Sequence, residues 1–191
     1  EMNAQLFGRK VMLKTKTKHL VEVVSVDTSA HMKKHAVVTN SESTKIKKAL
    51  SEMIGYEHLG SAHSHPFGLK EERLSYVREH GANFSDSDLD AIQHSLLNFG
   101  HDTHVELLLT LLPQKNFSKQ NDLQLADDFI EFNIGNCKCF LRAQVFTLVD
   151  GTLMQENTLL KCGILHNLDF KLNVVPKFRL AKGKNTIFEL S

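Results

Sequence analysis

The sequence predicts an α/β fold, with one mixed central sheet flanked by helices in a single domain. Three observations carry that expectation. Short runs of β-branched and apolar residues recur along the chain, other segments place apolar residues at helical spacing, and the two kinds of segment alternate. At 191 residues, with 41% hydrophobic and 24% charged residues, the chain has the material for one well-filled core.

Taken in order, residues 6–12 and 20–26 (LVEVVSV) read as a strand pair separated by a polar turn. Residues 35–39 (HAVVT) are strand-like. Residues 43–53 (STKIKKALSEM) place Ile46, Leu50 and Met53 at helical spacing, which predicts a helix with Ser43 as its N-cap and Gly55 as its end. Residues 59–65 form a short strand that stops at Pro66, which has no N–H to give a ladder. Residues 67–84 are charged and broken by Gly68 and Gly81, and they read as an insertion. The acidic run Ser85-Asp-Ser-Asp-Leu-Asp90 then leads into a helix over 91–98, where Ile92, Leu96 and Leu97 share a face and the acids sit at the positive end. Residues 103–112 (THVELLLTLL) read as a buried strand. Residues 129–134 and 139–148 read as two more around a Gly135-Asn136 turn, and 169–175 as a late one. Residues 115–122 read as a surface loop. No repeat and no convincing linker divides the chain, so residues 1–191 are expected to form one domain, the strands of 129–191 completing it.

Composition excludes some functions. The formal charge is +1, and Lys and Arg are scattered rather than gathered into a stripe, which argues against a nucleic-acid partner. No apolar run approaches the roughly 18 residues of a membrane span, and no charged segment followed by an apolar one opens the chain. No membrane partner is therefore expected. Cys137, Cys139 and Cys162 are odd in number and lack a CxxC pair, so they read as buried small hydrophobes in a reducing, cytoplasmic protein.

Eleven histidines are many for such a chain, and spacing singles out two of them. Side chains at i and i+2 of an extended strand point the same way, so His63 and His65 converge while Ser64 faces away. Two imidazoles on one face can grip one metal ion, and a catalytic zinc takes three protein ligands and leaves a position for water. The acid-rich helix start supplies candidates for the third ligand.

His63-Ser-His-Pro66 followed by Ser-x-x-Asp at the head of a helix resembles the JAMM (MPN+) zinc metallopeptidases, and the wording is most similar to prokaryotic JAB deubiquitinase-like members. The resemblance implies an MPN/JAB-like domain, with His63, His65 and Asp88 as ligands of Zn2+ and Ser85 as the polar residue beside the reacting carbonyl. Ser87 and Asp90 offer a second register, but Phe84-Ser-Asp-Ser-Asp-Leu89 fits the family wording better. Glu1-Met-Asn-Ala-Gln-Leu-Phe-Gly-Arg9 keeps the glutamate, Leu6, Gly8 and Arg9 of the family's opening, which implies Glu1 as general base. Glu22 is the alternative carboxylate. Asp86 and Asp90 read as helix-capping charges, and His80, inside the insertion, as an exposed residue rather than a rival ligand.

The spacer between His65 and Asp88 is longer than the family's, which places the insertion beside the expected site, where it could grip a protein or act as a lid. The substrate the resemblance implies is the amide bond after the C-terminal tail of ubiquitin or a ubiquitin-like protein, including those of bacterial antiviral conjugation systems. Two alternatives stand beside this. One is a non-catalytic MPN-like interaction scaffold, and the other a JAB peptidase acting on a sulfur-carrier protein or another small amide. A DNA-repair association of the RadC kind is disfavoured by the absence of HNHP wording and by the near-neutral charge.

Overall fold

The computed structural model of the chain describes residues 2–27, 31–33, 36–38, 40–68, 73–115 and 122–162. The first strands are β1 (Asn3–Met12), β2 (Thr17–Val26), β3 (His31–Lys33) and β4 (Ala36–Val38). Helix α1 (Ser41–Met53) and strand β5 (Glu57–Pro66) follow, then α2 (Leu74–His80) and α3 (Asp86–Phe99). The last strands are β6 (Thr103–Pro113), β7 (Leu123–Ala126), β8 (Phe129–Ile134), β9 (Cys137–Val149) and β10 (Thr152–Gln155). Eight of these strands form one sheet, in the order β2-β1-β5-β6-β9-β8-β7 with β10 on β9, while β3 and β4 pair with each other. Among the described residues the chain is thus a mixed α/β protein, as its alternating patterns predict, and no described helix is long and apolar enough to cross a membrane.

The described residues gather into two compact units. The first holds the described residues of 2–64, 84–108 and 143–158. In it β1 pairs antiparallel with β2 on one side and β5 on the other, so the N-terminal strand is an inner one. Leu6, Leu59 and Val105 form one fully apolar cluster where these strands meet β6. Ile92 and Leu96 of α3 bury against Phe146 of β9, with Phe84, Leu89, Leu148 and Leu153 around them. The predicted helical face of 91–98 is therefore right in two of its three residues. Ile92 and Leu96 are inside, whereas Leu97 remains exposed.

The second unit holds the described residues of 65–83, 109–142 and 159–162. Here Val77 and Ala82, within the predicted insertion, bury against Leu112, Phe129 and Phe140. The insertion is thus a structural part of this core. Beneath α2, Arg78 bridges both oxygens of the fully buried Glu131 at 2.7 and 3.0 Å, and Lys138 donates to the same carboxylate at 2.5 Å.

Several expectations are corrected. Helix α1 is capped by Asn40, whose side chain accepts from the N–H groups of Glu42 and Ser43, so the helix starts upstream of Ser43. Its buried residues are Thr44 and Ser51, while Ile46, Leu50 and Met53 face solvent. The inward hydroxyls bond helix carbonyls, Thr44 to Asn40 and Ser51 to Lys48, and so enter the interior already satisfied. Gly55, at φ +81°, follows the helix end as predicted, the conformation being one that glycine adopts without strain. Strands β7 and β10 have four residues each, too short for a pattern to announce them. The predicted strand at 169–175 lies outside the described residues.

Candidate metal centre

Strand β5 carries both histidines, and its register is set upstream of them. Gly60 has φ +152°, and a Cβ there would stand 2.0 Å from the carbonyl oxygen of Val105. Glycine is required because β6 passes so close. Beyond it Ser61, His63 and His65 alternate onto one face of the strand, as the i, i+2 spacing predicts. Ser64 points the other way and is buried. Its N–H donates to the carbonyl of Met2 at 3.0 Å, and its hydroxyl accepts from the N–H of Met2 at 3.0 Å. The start of β1 is thereby stitched to the peptide between the two histidines.

The third candidate arrives on α3. Ser85 is the N-cap, and it forms a reciprocal capping box with Asp88. The Ser85 N–H donates to Asp88 Oδ2 at 2.7 Å, the Ser85 hydroxyl donates to the same oxygen at 2.7 Å, and the Asp88 N–H returns to Ser85 Oγ at 3.3 Å. One carboxylate oxygen is thus held by the helix start, and the other, Oδ1, faces His63 Nε2 at 3.5 Å.

His63, His65 and Asp88 bring three ligand atoms within 4.8 Å of one another and could hold a metal ion. Two ligands about 2.0–2.1 Å from a tetrahedral zinc stand about 3.3 Å apart, close to the observed His63–Asp88 separation of 3.5 Å. Two imidazoles with one carboxylate are also a donor set of catalytic zinc sites, which keep a fourth position for water. His65 Nδ1 lies 3.4 Å from the carbonyl oxygen of Gly81, and a carbonyl only accepts, so the ring is oriented with Nδ1–H towards it and Nε2 as the ligand atom.

Electrostatics at the cluster are dominated by carboxylates. Burial alone would lower the pKa of His63, but hydrogen bonds and charge from Asp88 and Glu106 outweigh it and raise His63 to about 10. Burial would likewise raise Asp88, yet His63 and Ser85 hold it well below the usual carboxylate range. Asp88 and Glu106 thus favour a cation between them, whether the proton of His63 or a metal ion that competes with it.

Other sequence candidates fall elsewhere. Glu1 lies outside the described residues. Glu22 is the extra residue of a bulge opposite Phe7 and Gly8, and its carboxylate pairs with Arg9, whose Nε donates at 2.7 Å. Asp86 and Asp90 are exposed, so the Ser85–Asp88 register is the one that meets the histidines. His80 stacks on Tyr76 with ring centroids 4.7 Å apart. Cys137 and Cys139 are buried in β9 as expected, whereas Cys162 is only half-buried.

Sequence reading missed the residues behind His63. Glu106 is buried on β6, and its Oε1 accepts from His63 Nδ1 at 2.7 Å. Its Oε2 accepts from the Ser61 hydroxyl at 2.6 Å and from His104 Nε2 at 2.9 Å. Burial would raise Glu106, but His104 and His63 hold it below the ordinary carboxylate value. The available signal was His104-x-Glu106 inside the apolar run THVELLLTLL, since a charge on a buried strand demands partners. A second histidine group was also unread. His58 is buried against Phe7 and Phe99, its Nε2 2.8 Å from Gln5 Oε1 and its Nδ1 3.2 Å from His101 Nε2. A groove of about 620 Å³ lined by Lys45, Lys48, Ala49, Glu52, Asn98 and Phe99 contains none of the cluster residues.

No family model, curated protein or solved structure matches this chain.

Proposed function

We propose that the chain is a zinc-dependent peptidase of the JAMM (MPN+) kind, which hydrolyses the amide bond after the C-terminal tail of ubiquitin or a ubiquitin-like protein. The observation that supports it is the convergence of His63, His65 and Asp88, from a His-x-His-Pro strand end and a Ser-x-x-Asp helix start, with ligand atoms within 4.8 Å. Zinc supplies Lewis acidity towards a carbonyl and lowers the pKa of water towards about 7. The protein's own residues supply the rest. Glu1 is the proposed general base, taking a proton from the attacking water and returning it to the leaving amine. Its covalent neighbour Met2 pairs with Ser64, between the two histidines. Ser85 is the proposed donor to the developing oxyanion, a role worth typically about 10²- to 10³-fold in rate. Its hydroxyl now donates to Asp88, so it would have to turn to the substrate.

One observation favours a second reading, a non-catalytic scaffold of the same fold. His63 already pairs with Asp88 at 3.5 Å and Glu106 at 2.7 Å, and the Ser85–Asp88 pair already serves as a helix cap. A cleavage assay separates the two. The zinc-supplemented protein is incubated with linear fusions to ubiquitin and to ubiquitin-like and sulfur-carrier proteins. Chelator-sensitive cleavage after the C-terminal tail, lost in Glu1→Gln with zinc still bound, supports the peptidase. Zinc-loaded protein that cuts no fusion favours the scaffold.

A further inference from the structure

Beside the close approach of Gly60 to Val105, Ser61 and His63 of β5 meet His104 and Glu106 of β6, two residues two apart on each strand. The four side chains form a closed group. Glu106 is buried, and an ionised carboxylate only accepts hydrogen bonds. Its Oε2 is fixed by Ser61 at 2.6 Å and His104 at 2.9 Å, so the carboxylate cannot rotate, and Oε1 is left for His63 Nδ1 at 2.7 Å. A neutral His63 making that contact must carry its hydrogen on Nδ1 and its lone pair on Nε2, the nitrogen that faces Asp88.

We propose that Glu106, clamped by Ser61 and His104, is the positioning residue of the candidate metal centre: it locks His63 in the Nδ1–H tautomer and aims Nε2 at the metal. This rests on the metal reading of the His63–His65–Asp88 cluster. Glu106 touches neither metal nor substrate, and it acts through His63. Buried carboxylates behind a ligating histidine raise its basicity and hold its ring plane, and their loss typically costs 10- to 100-fold in metal affinity. The clamp has its own consequence. Ser61, whose hydroxyl donates to Glu106, also matters for zinc, because it keeps Oε2 from swinging and taking Oε1 with it.

The test is zinc affinity by competition with a chromophoric chelator, beside the ¹⁵N imidazole shifts of His63 in the zinc-loaded protein, assigned through His63→Gln. Wild type is compared with Glu106→Gln and Ser61→Ala, folding being followed by circular dichroism. The expected result is about 10- to 100-fold weaker zinc binding in Glu106→Gln, a few-fold weaker binding in Ser61→Ala, and a His63 Nδ1 shift that moves once its carboxylate acceptor is neutralised. A merely structural role would leave that shift unmoved. Wild-type affinity in both variants, with the His63 Nδ1 shift unchanged, overturns the positioning role alone. A wild-type chain that binds no zinc overturns the metal reading and this inference with it. Should Glu106→Gln fail to fold, Ser61→Ala decides, and zinc affinity equal to wild type there counts against the clamp.

Discussion

Gly60 passes so close to Val105 that an added Cβ would stand 2.0 Å from its carbonyl oxygen. This approach sets the register in which Ser61 and His63 meet His104 and Glu106. Alanine at 60 meets a backbone oxygen and a φ of +152° at once, and neither is relieved by turning a side chain. Gly60→Ala is expected to cost at least about 2 kcal/mol in urea unfolding, since residues held in such regions cost on the order of 1–3 kcal/mol before any steric shift. A change below about 0.5 kcal/mol would mean that β5 and β6 can part without penalty.

His58 predicts an acid-sensitive core. Burial, then the neighbouring His101, His104 and Lys48, lower its pKa from 6.5 to about 3. Between those values the unfolded chain binds a proton that the folded chain refuses, so stability rises with pH and is lost as pH falls below 6.5. The slope from one such group is about 1.4 kcal/mol per pH unit. In His58→Gln the stability-versus-pH curve from 6.5 to 5 should be flatter by about that amount. Curves parallel to wild type would show that His58 takes up its proton without unfolding.

The buried Glu131 holds two cations, and removing its charge takes from Lys138 the carboxylate it meets in the core. Lys138 has a side chain only 3% exposed, so it cannot reach water without opening β8 and β9. Breaking a buried pair in this way typically costs about 3–5 kcal/mol. Glu131→Gln is expected to fall in that range by denaturant titration, and a loss under about 1 kcal/mol would contradict the arrangement. Because Arg78 anchors α2, the variant should also speed proteolysis within residues 73–84.

Helix α1 offers the opposite case. Leu50 and Met53, which the sequence places at helical spacing, are 57% and 81% exposed. Leu50→Lys should change stability by less than about 0.5 kcal/mol, as surface substitutions do. A loss above about 2 kcal/mol would return Leu50 to the core.

The contrast between α1 and α3 shows what was legible in the sequence and why. Periodicity identifies an apolar face but not its direction. In α3 the face of Ile92 and Leu96 turns inward, whereas in α1 Thr44 and Ser51 go in because their hydroxyls are satisfied by helix carbonyls. The strands of the sheet were legible because long apolar runs have few other uses, while β7 and β10 were too short to read. His63 and His65 were legible because the i, i+2 rule acts locally, whereas Asp88 was singled out among the acids of the helix start only by the resemblance of its Ser-x-x-Asp wording. Glu106 and His104 were not, because their meaning lies in the pairing of β5 and β6, which no local pattern records.

The central claim is that His63, His65 and Asp88 hold a metal ion. The most direct measurement is zinc content by elemental mass spectrometry after equilibrium dialysis, on wild type beside His65→Ala and Asp88→Asn. About one zinc per chain in wild type, lost in both variants whose circular dichroism stays native, is the predicted result. No zinc in wild type, or equal zinc in all three, would contradict it.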